Sequence, residues 1–262
     1  MATKTYAQSQ PSNVRQIINI FALGATITIN ALANIVPING MNSGEISDLY
    51  PSLFTPAGYV FSIWSLIYLL LIAFVVFQAL PSQKDNPRLE RLGYAFVASC
   101  VFNSLWIFAW HYRYVFLSEL LIIGVLVSLL ISYHRLQTEQ VNKGVLKVSR
   151  AERFTTHLAF SVYTGWLTVA VVANTCVLLL EWGITGGSFA PMWGVLTILA
   201  ALTIGAAFTY LRKDMVYGLV LVWAFAGIAV AQAGNTPSVV VTASIAAVVM
   251  FVLSLWRGLV RA

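Results

Sequence analysis

Eight apolar runs, each close to the thickness of a bilayer core in length, govern what this chain can fold into. They fall at roughly 16–36, 56–80, 90–112, 114–134, 155–181, 190–211, 215–232 and 237–256. A helix needs about 20 apolar residues to cross the hydrocarbon. A segment in lipid must also satisfy its own backbone hydrogen bonds, which a helix does. The seventh run is the shortest. Only 9% of the residues are charged and 59% are hydrophobic, against about 25% charged in a soluble domain. These features predict an all-α fold, a polytopic transmembrane bundle of about eight helices. They exclude a soluble globule with a large core.

Lys and Arg in the loops set the orientation. With the N-terminus in the cytoplasm, 14 of the 15 basic residues lie on the cytoplasmic side, and only Arg113 lies outside. The outer loops carry Glu45, Asp48 and Glu181 instead. Both termini are therefore expected to be cytoplasmic. The expected location is a cell membrane of bacterial type, crossed several times. The net charge of +6 reflects those loops, so no nucleic acid partner is expected. Lys4, Arg15, the first run and Ala31-Leu32-Ala33 also resemble a signal peptide. The length of that run and its Asn and Thr residues argue against cleavage. Cys100 and Cys176 sit in apolar runs without metal or disulfide spacing.

The second run opens with Phe54-Thr55-Pro56-Ala57-Gly58-Tyr59-Val60-Phe61. Pro56 suits a first helical turn, with Thr55 placed to cap. Phe61, Trp64 and Tyr68 follow at helical spacing as one aromatic stripe. In the third run, Asn103, Trp106 and Trp110 share a face; in the fifth, Tyr163, Trp166, Ala170 and Asn174 do. An amide in hydrocarbon must find a partner or face a cavity. Either stripe alone reads as packing and interhelical hydrogen bonding. Three aromatic faces with two amides point instead to a cavity for a planar, hydrophobic ligand with a few polar edges. The outer loop from Pro37 to Thr55 is placed to act as a lid or as a plain connector. The loop from Gln137 to Arg153 reads as mixed-charge and partly helical.

The same residues carry a family resemblance. Phe54 to Phe61 with Trp64 and Tyr68 resembles the signature of the tryptophan-rich sensory protein family (TspO, the translocator protein). Asn103-Ser104-Leu105-Trp106 is similar to its third-helix motif, and Trp166, Ala170 and Asn174 to its fifth-helix pattern. The resemblance covers about residues 16–181. The second Pro of the signature is Ala57 here, its Trp is Tyr59, and its Gly-Pro is Ser62-Ile63, so the second helix should be straighter. The resemblance implies a five-helix bundle over 16–181, after a polar N-terminus over 1–15; the three-helix extension over 190–262 departs from the family pattern and marks a long, divergent relative. The resemblance also implies a pocket closed by the first loop, for porphyrins or sterol-like and drug-like aromatic ligands, in a protein that is often a homodimer. Mapped by motif, that pocket involves Tyr59, Phe61, Trp64, Tyr68, Asn103, Trp106, Trp166 and Asn174; Tyr163 joins from periodicity alone.

A porphyrin or haem is thus a candidate ligand, with membrane lipid as the surrounding partner. His111, His134 and His157 lie at run ends, where a solvated histidine is the ordinary case and axial ligation the exception. No run centre carries an ionisable residue of the kind that ion-coupled transporters place at mid-membrane. No paired carboxylates, Ser/His/Asp set or phosphate-cradling loop is present, so enzymatic turnover is not expected. Two other readings stand beside ligand binding: an uncoupled permease for a neutral solute, and a non-catalytic assembly partner. The small pairs Ala201 and Gly205, Gly227 and Ala231, and Ala243 and Ala247 permit close helix approach, within the bundle or between copies. If binding resides in the first five helices, it should survive removal of residues 190–262.

Overall fold

The structure, a computed structural model, describes residues 12–137 and 148–260. Among the described residues it is all-α. Its eight long helices match the eight apolar runs: α1 (Ser12–Ile35), α3 (Ile63–Ala79), α5 (Ala95–His111), α6 (Val115–Gln137), α8 (Leu158–Glu181), α9 (Ala190–Arg212), α10 (Met215–Ala231) and α11 (Pro237–Leu259). Three short helices lie between them: α2 (Ser43–Asp48), α4 (Pro87–Leu92) and α7 (Arg150–Glu152). Six segments among the described residues are long and apolar enough to cross a membrane; α5 and α10, at 17 residues each, are shorter apolar helices. Leu66, Leu69, Ile72 and Val76 leave one face of α3 exposed, as a lipid-facing surface requires.

Local chemistry places the breaks. The run predicted at 90–112 divides, because Gly93 takes a φ of +57° that only glycine adopts without strain. The piece before it is α4, with Pro87 in its first turn and the Asn86 side chain accepting from Arg88 N–H. Pro56 does not begin an α-helix. A 3₁₀ turn, Gly58–Ser62, comes first, and Ala57 rather than Thr55 holds the N-cap position. Asp214 caps α10 by accepting from Tyr217 N–H at 3.0 Å. The predicted loop 137–153 lies largely outside the described residues. Its last part forms α7, capped by Ser149, and a π-turn at Arg153–His157 leads on into α8.

The bundle has two different ends. The end bearing residues 36–57 holds a cavity. The other end is closed by side chains. Phe74, Phe96 and Phe160, all fully buried, meet edge to face with centroids 5.1, 5.1 and 6.0 Å apart. Beyond them, Gln16 and Gln78 exchange hydrogen bonds with each other's carbonyls, and Asn19 donates to Gln78 at 3.3 Å. Arg88 of α4 and Glu152 of α7 form a buried two-pronged ion pair at 2.6 and 2.8 Å. The Asp214 carboxylate receives Tyr133 and Ser161 hydroxyls, each at 2.6 Å, and so ties α6 and α8 to the start of α10.

The last three helices belong to the same hydrophobic core as the first five. Small residues let them approach. A Cβ on Gly205 would lie 1.9 Å from Leu221 Cδ2, so α9 and α10 touch backbone to side chain there. Ala201 and Ala243 are also buried. Gly227 of α10 meets the 3₁₀ turn itself: Ala57 N–H donates to Gly227 O at 3.1 Å. Trp223 Nε1 donates to Val60 O at 3.1 Å, and the Tyr59 ring packs edge-on against Trp223 at 5.4 Å. The signature segment is therefore held by α10, and removal of residues 190–262 strips away those contacts.

A Cβ on Gly227 would sit 2.2 Å from Val60 Cγ2 and 3.2 Å from Pro56 Cβ. Val60 is β-branched and cannot swing aside cheaply, so the turn must move. Gly227→Ala is expected to cost about 1–3 kcal/mol through overpacking, read as a lowered melting temperature in detergent. Gly24→Ala is the control. Its Cβ meets nothing within 4 Å, so α1 should gain up to about 1 kcal/mol from helix propensity.

Candidate functional site

The aromatic stripes of α3 and α5 meet. Tyr68 stacks on Trp64 (5.7 Å between centroids, 23° between planes), Trp64 on Trp106 (6.2 Å, 24°) and Trp106 on Trp110 (6.2 Å, 23°). The i, i+4 spacing within each helix stacks the rings along it, and the helix pair continues the stack across. Trp166 from α8 stands at 85° to Trp64 and at 88° to Phe61. Two aromatic walls thus meet almost at a right angle. They line a cavity of about 600 Å³, within the range that holds cofactors and drug-sized ligands.

Hydrogen bonds behind the walls fix them. Asn30 Nδ2 donates to Asn103 Oδ1 at 2.8 Å, and Asn103 Nδ2 donates to the Tyr163 hydroxyl at 3.2 Å. This buried relay joins α1, α5 and α8. Asn174 Nδ2 donates to Glu119 Oε2 at 2.8 Å, and Thr175 Oγ1 donates to Glu119 Oε1 at 2.8 Å. Glu119 thereby sets which way the Asn174 amide faces. Asn174 Oδ1 accepts from Ser118 Oγ at 3.2 Å and from Trp106 Nε1 at a long 3.5 Å.

The loop between α1 and α3 covers the cavity as a lid would. Asn42 caps α2 by accepting from Gly44 and Glu45 N–H, while Glu45 accepts from Asn42 N–H. The folded loop is pinned to α5. Trp110 Nε1 donates to Ser43 O at 3.3 Å, and Asn39 Nδ2 donates to His111 O at 3.0 Å. The Tyr50 ring lies 6.3 Å from that of Trp110. Burial first, then the Glu181 carboxylate, push the Tyr50 phenol above its ordinary pKa.

Six of the nine residues expected at the site line the cavity: Phe61, Trp64, Tyr68, Trp106, Trp166 and Asn174. Asn103 and Tyr163 stand one layer behind, buried at 1% and 2% exposure, where they hold the wall through the relay. Tyr59 is elsewhere. It is 50% exposed and packs on Trp223, because the 3₁₀ turn points it away from Phe61. Histidine needs a correction too. His111 is 1% exposed rather than solvated; its Nδ1 lies 2.8 Å from Ile107 O and its Nε2 3.4 Å from Ser43 Oγ. Among the described residues no three His, Cys, Asp or Glu side chains gather at a metal position.

The motifs missed other lining residues. Trp110 shares the face of Trp106 yet stands outside the family motif. Asn30 and Asn34 come from α1, and Asn42, Ser43, Ser47 and Asp48 from the lid. Asn30 and Asn34 are one helical turn apart in an apolar run, a signal that periodicity could have found. The lid residues carry no periodic signal.

A family model described as TSPO-like protein matches residues 16–256. The chain belongs to the TSPO-like protein family. The match runs past α8 and takes in α9 and α10 and most of α11, so the TSPO-like region includes the helix that holds the signature turn. No curated protein and no solved structure gives a match. The TSPO-like assignment and the apolar helices together make this an integral, multi-pass membrane protein.

Proposed function

We propose that this TSPO-like protein binds a planar hydrophobic small molecule, a tetrapyrrole among the candidates, and serves sensing or transport rather than turnover. The observation that carries this reading is the right-angled aromatic corner on a cavity of about 600 Å³. Adjacent stacked rings lie 5.7 and 6.2 Å apart, too close to admit another ring between them. A flat ligand would therefore lie along the stack and meet Trp166 at the corner. Apolar burial and ring contact supply the affinity; Asn174 and the polar rim supply orientation. The phenylalanine cluster and the Gln16–Gln78 exchange close the far half of the bundle, so passage through it would require both to part.

The cavity end carries Glu45, Asp48 and Glu181, while Lys84, Arg88, Arg91 and Arg135 lie toward the other end. We read the other end as cytoplasmic, with both termini on that side.

The test is titration of the purified protein with a neutral porphyrin diester, following ligand absorbance and quenching of tryptophan fluorescence. Saturable binding is expected. Ala170→Phe, which adds a ring inside the cavity, should weaken it at least tenfold with helicity unchanged. No saturation, or equal binding by Ala170→Phe, would overturn the reading.

A further inference from the structure

The polar part of the cavity lining has a definite hydrogen-bonding sense. Asn30 spends its Nδ2 on Thr26 O and Asn103 Oδ1, at 2.9 and 2.8 Å. Asn34 spends its Nδ2 on Asn30 O at 2.9 Å. The Oδ1 of neither amide receives a donor from any described residue. One helical turn separates them, the lower buried and the upper exposed, so two acceptor oxygens climb from the cavity toward its rim. Asp48 lies at that rim on the lid, also lining the cavity, and its carboxylate has no cation beside it in the lining. Among the described residues the lining contains Asp48 but no Lys, Arg or His. Other donors are neutral, and they include the Tyr68 hydroxyl and the Trp166 Nε1–H, which is buried with no hydrogen-bond partner among the described residues. Asn42 has its Oδ1 occupied by the cap and offers its Nδ2; Ser47, Thr55 and Ser65 offer hydroxyls. Nearby charges on the same end are mostly acidic: Glu45 is on the lid and Glu181 lies beside Tyr50, while Arg113 is close enough to Tyr50 to act on its phenol and is not among the lining residues.

We propose that the cavity selects a cationic amphiphile: a flat apolar body against the tryptophan stack, and an ammonium or similar N–H-bearing head directed at Asn30, Asn34 and Asp48. The inference rests on the binding function proposed above and assigns the ligand's charge. A carboxylate-bearing ligand meets no cation in the lining and must shed its water against two amide oxygens and an anion. Burying an unpaired charge among acceptors is strongly unfavourable. An ammonium head has only donors, which is what this rim accepts.

The experiment compares three derivatives of one porphyrin ring, differing only in the side-chain ends: free dicarboxylate, neutral diester, and diamide ending in primary amines. Binding is measured in uncharged detergent, so that the micelle does not sort the probes by charge. The expected order is amine tightest, ester next and dicarboxylate weakest, with at least tenfold between the extremes. Asp48 is exposed, so Asp48→Asn should fold normally. It should weaken the amine derivative about three- to tenfold and so narrow the gap between amine and ester. High salt should erode the same difference, because a rim charge is screened. Ester binding without any charge order, or a dicarboxylate that binds as tightly as the amine, overturns this proposal while leaving the cavity's binding role standing. Failure of all three probes removes the binding reading itself.

Discussion

Trp64→Ala is expected to reduce ligand affinity at least 30-fold. Trp64 is the joint of the aromatic corner. It stacks on Tyr68 and Trp106, and it meets Tyr163 and Trp166 edge to face at 5.9 and 6.3 Å. An aromatic anchor at the centre of a desolvated site typically contributes about 2 kcal/mol or more, roughly 30-fold in affinity. Loss of the ring also leaves Trp106 and Trp166 without their shared neighbour, so both walls loosen. Part of Trp64 already faces the cavity, so the stability loss should fall below the roughly 3–5 kcal/mol of a fully buried aromatic truncation. Trp64→Phe keeps a ring in the stack and should recover much of the affinity. Titration by ligand absorbance, which does not depend on the deleted fluorophore, reads both variants. Affinity within twofold of the parent for Trp64→Ala would place the ligand away from this corner.

The largest stability effect belongs at the opposite end. Arg88 and Glu152 are 4% and 3% exposed and meet through two short hydrogen bonds. Arg88→Ala leaves the Glu152 carboxylate buried without this partner, which typically costs about 3–5 kcal/mol. A melting transition in detergent should fall steeply, or the protein should fail to accumulate folded. The double change Arg88→Met with Glu152→Leu removes both charges together. It should regain most of the loss, because a well-packed apolar pair can replace a buried ion pair at little cost. Equal destabilisation by the single and double variants would mean that packing around α4, rather than the charge, holds this end. Neither residue touches the cavity, so ligand affinity in the surviving folded fraction should not change.

The sequence exposed the membrane architecture because bilayer thickness is a constraint on single segments. Each apolar run had to be about one helix long, and eight long helices appear in the eight expected places. It also exposed which helix faces look inward, since an amide among apolar residues cannot be left to lipid. That reasoning brought Trp64, Trp106, Trp166 and Asn174 to one cavity. It separated poorly between lining the cavity and standing behind it. Asn103 and Tyr163 share a helical face with lining residues, but the depth of a side chain depends on its neighbours' rotamers. Tyr59 shows the sharper limit. Its motif position suggested the pocket. A 3₁₀ turn winds about 120° per residue where an α-helix winds about 100°, and that tighter turn sends Tyr59 to Trp223.

What the residues determined by themselves is the helical, membrane-spanning character of the chain and the inward side of its helices, because length, charge and periodicity act within one segment at a time. Only the tertiary structure decided that α10 grips the signature turn through Gly227 and Trp223, that the lid brings Asp48 to the cavity, and that Arg88 finds Glu152. These contacts join positions far apart in the chain, and their partners are chosen by how helices pack rather than by any local pattern.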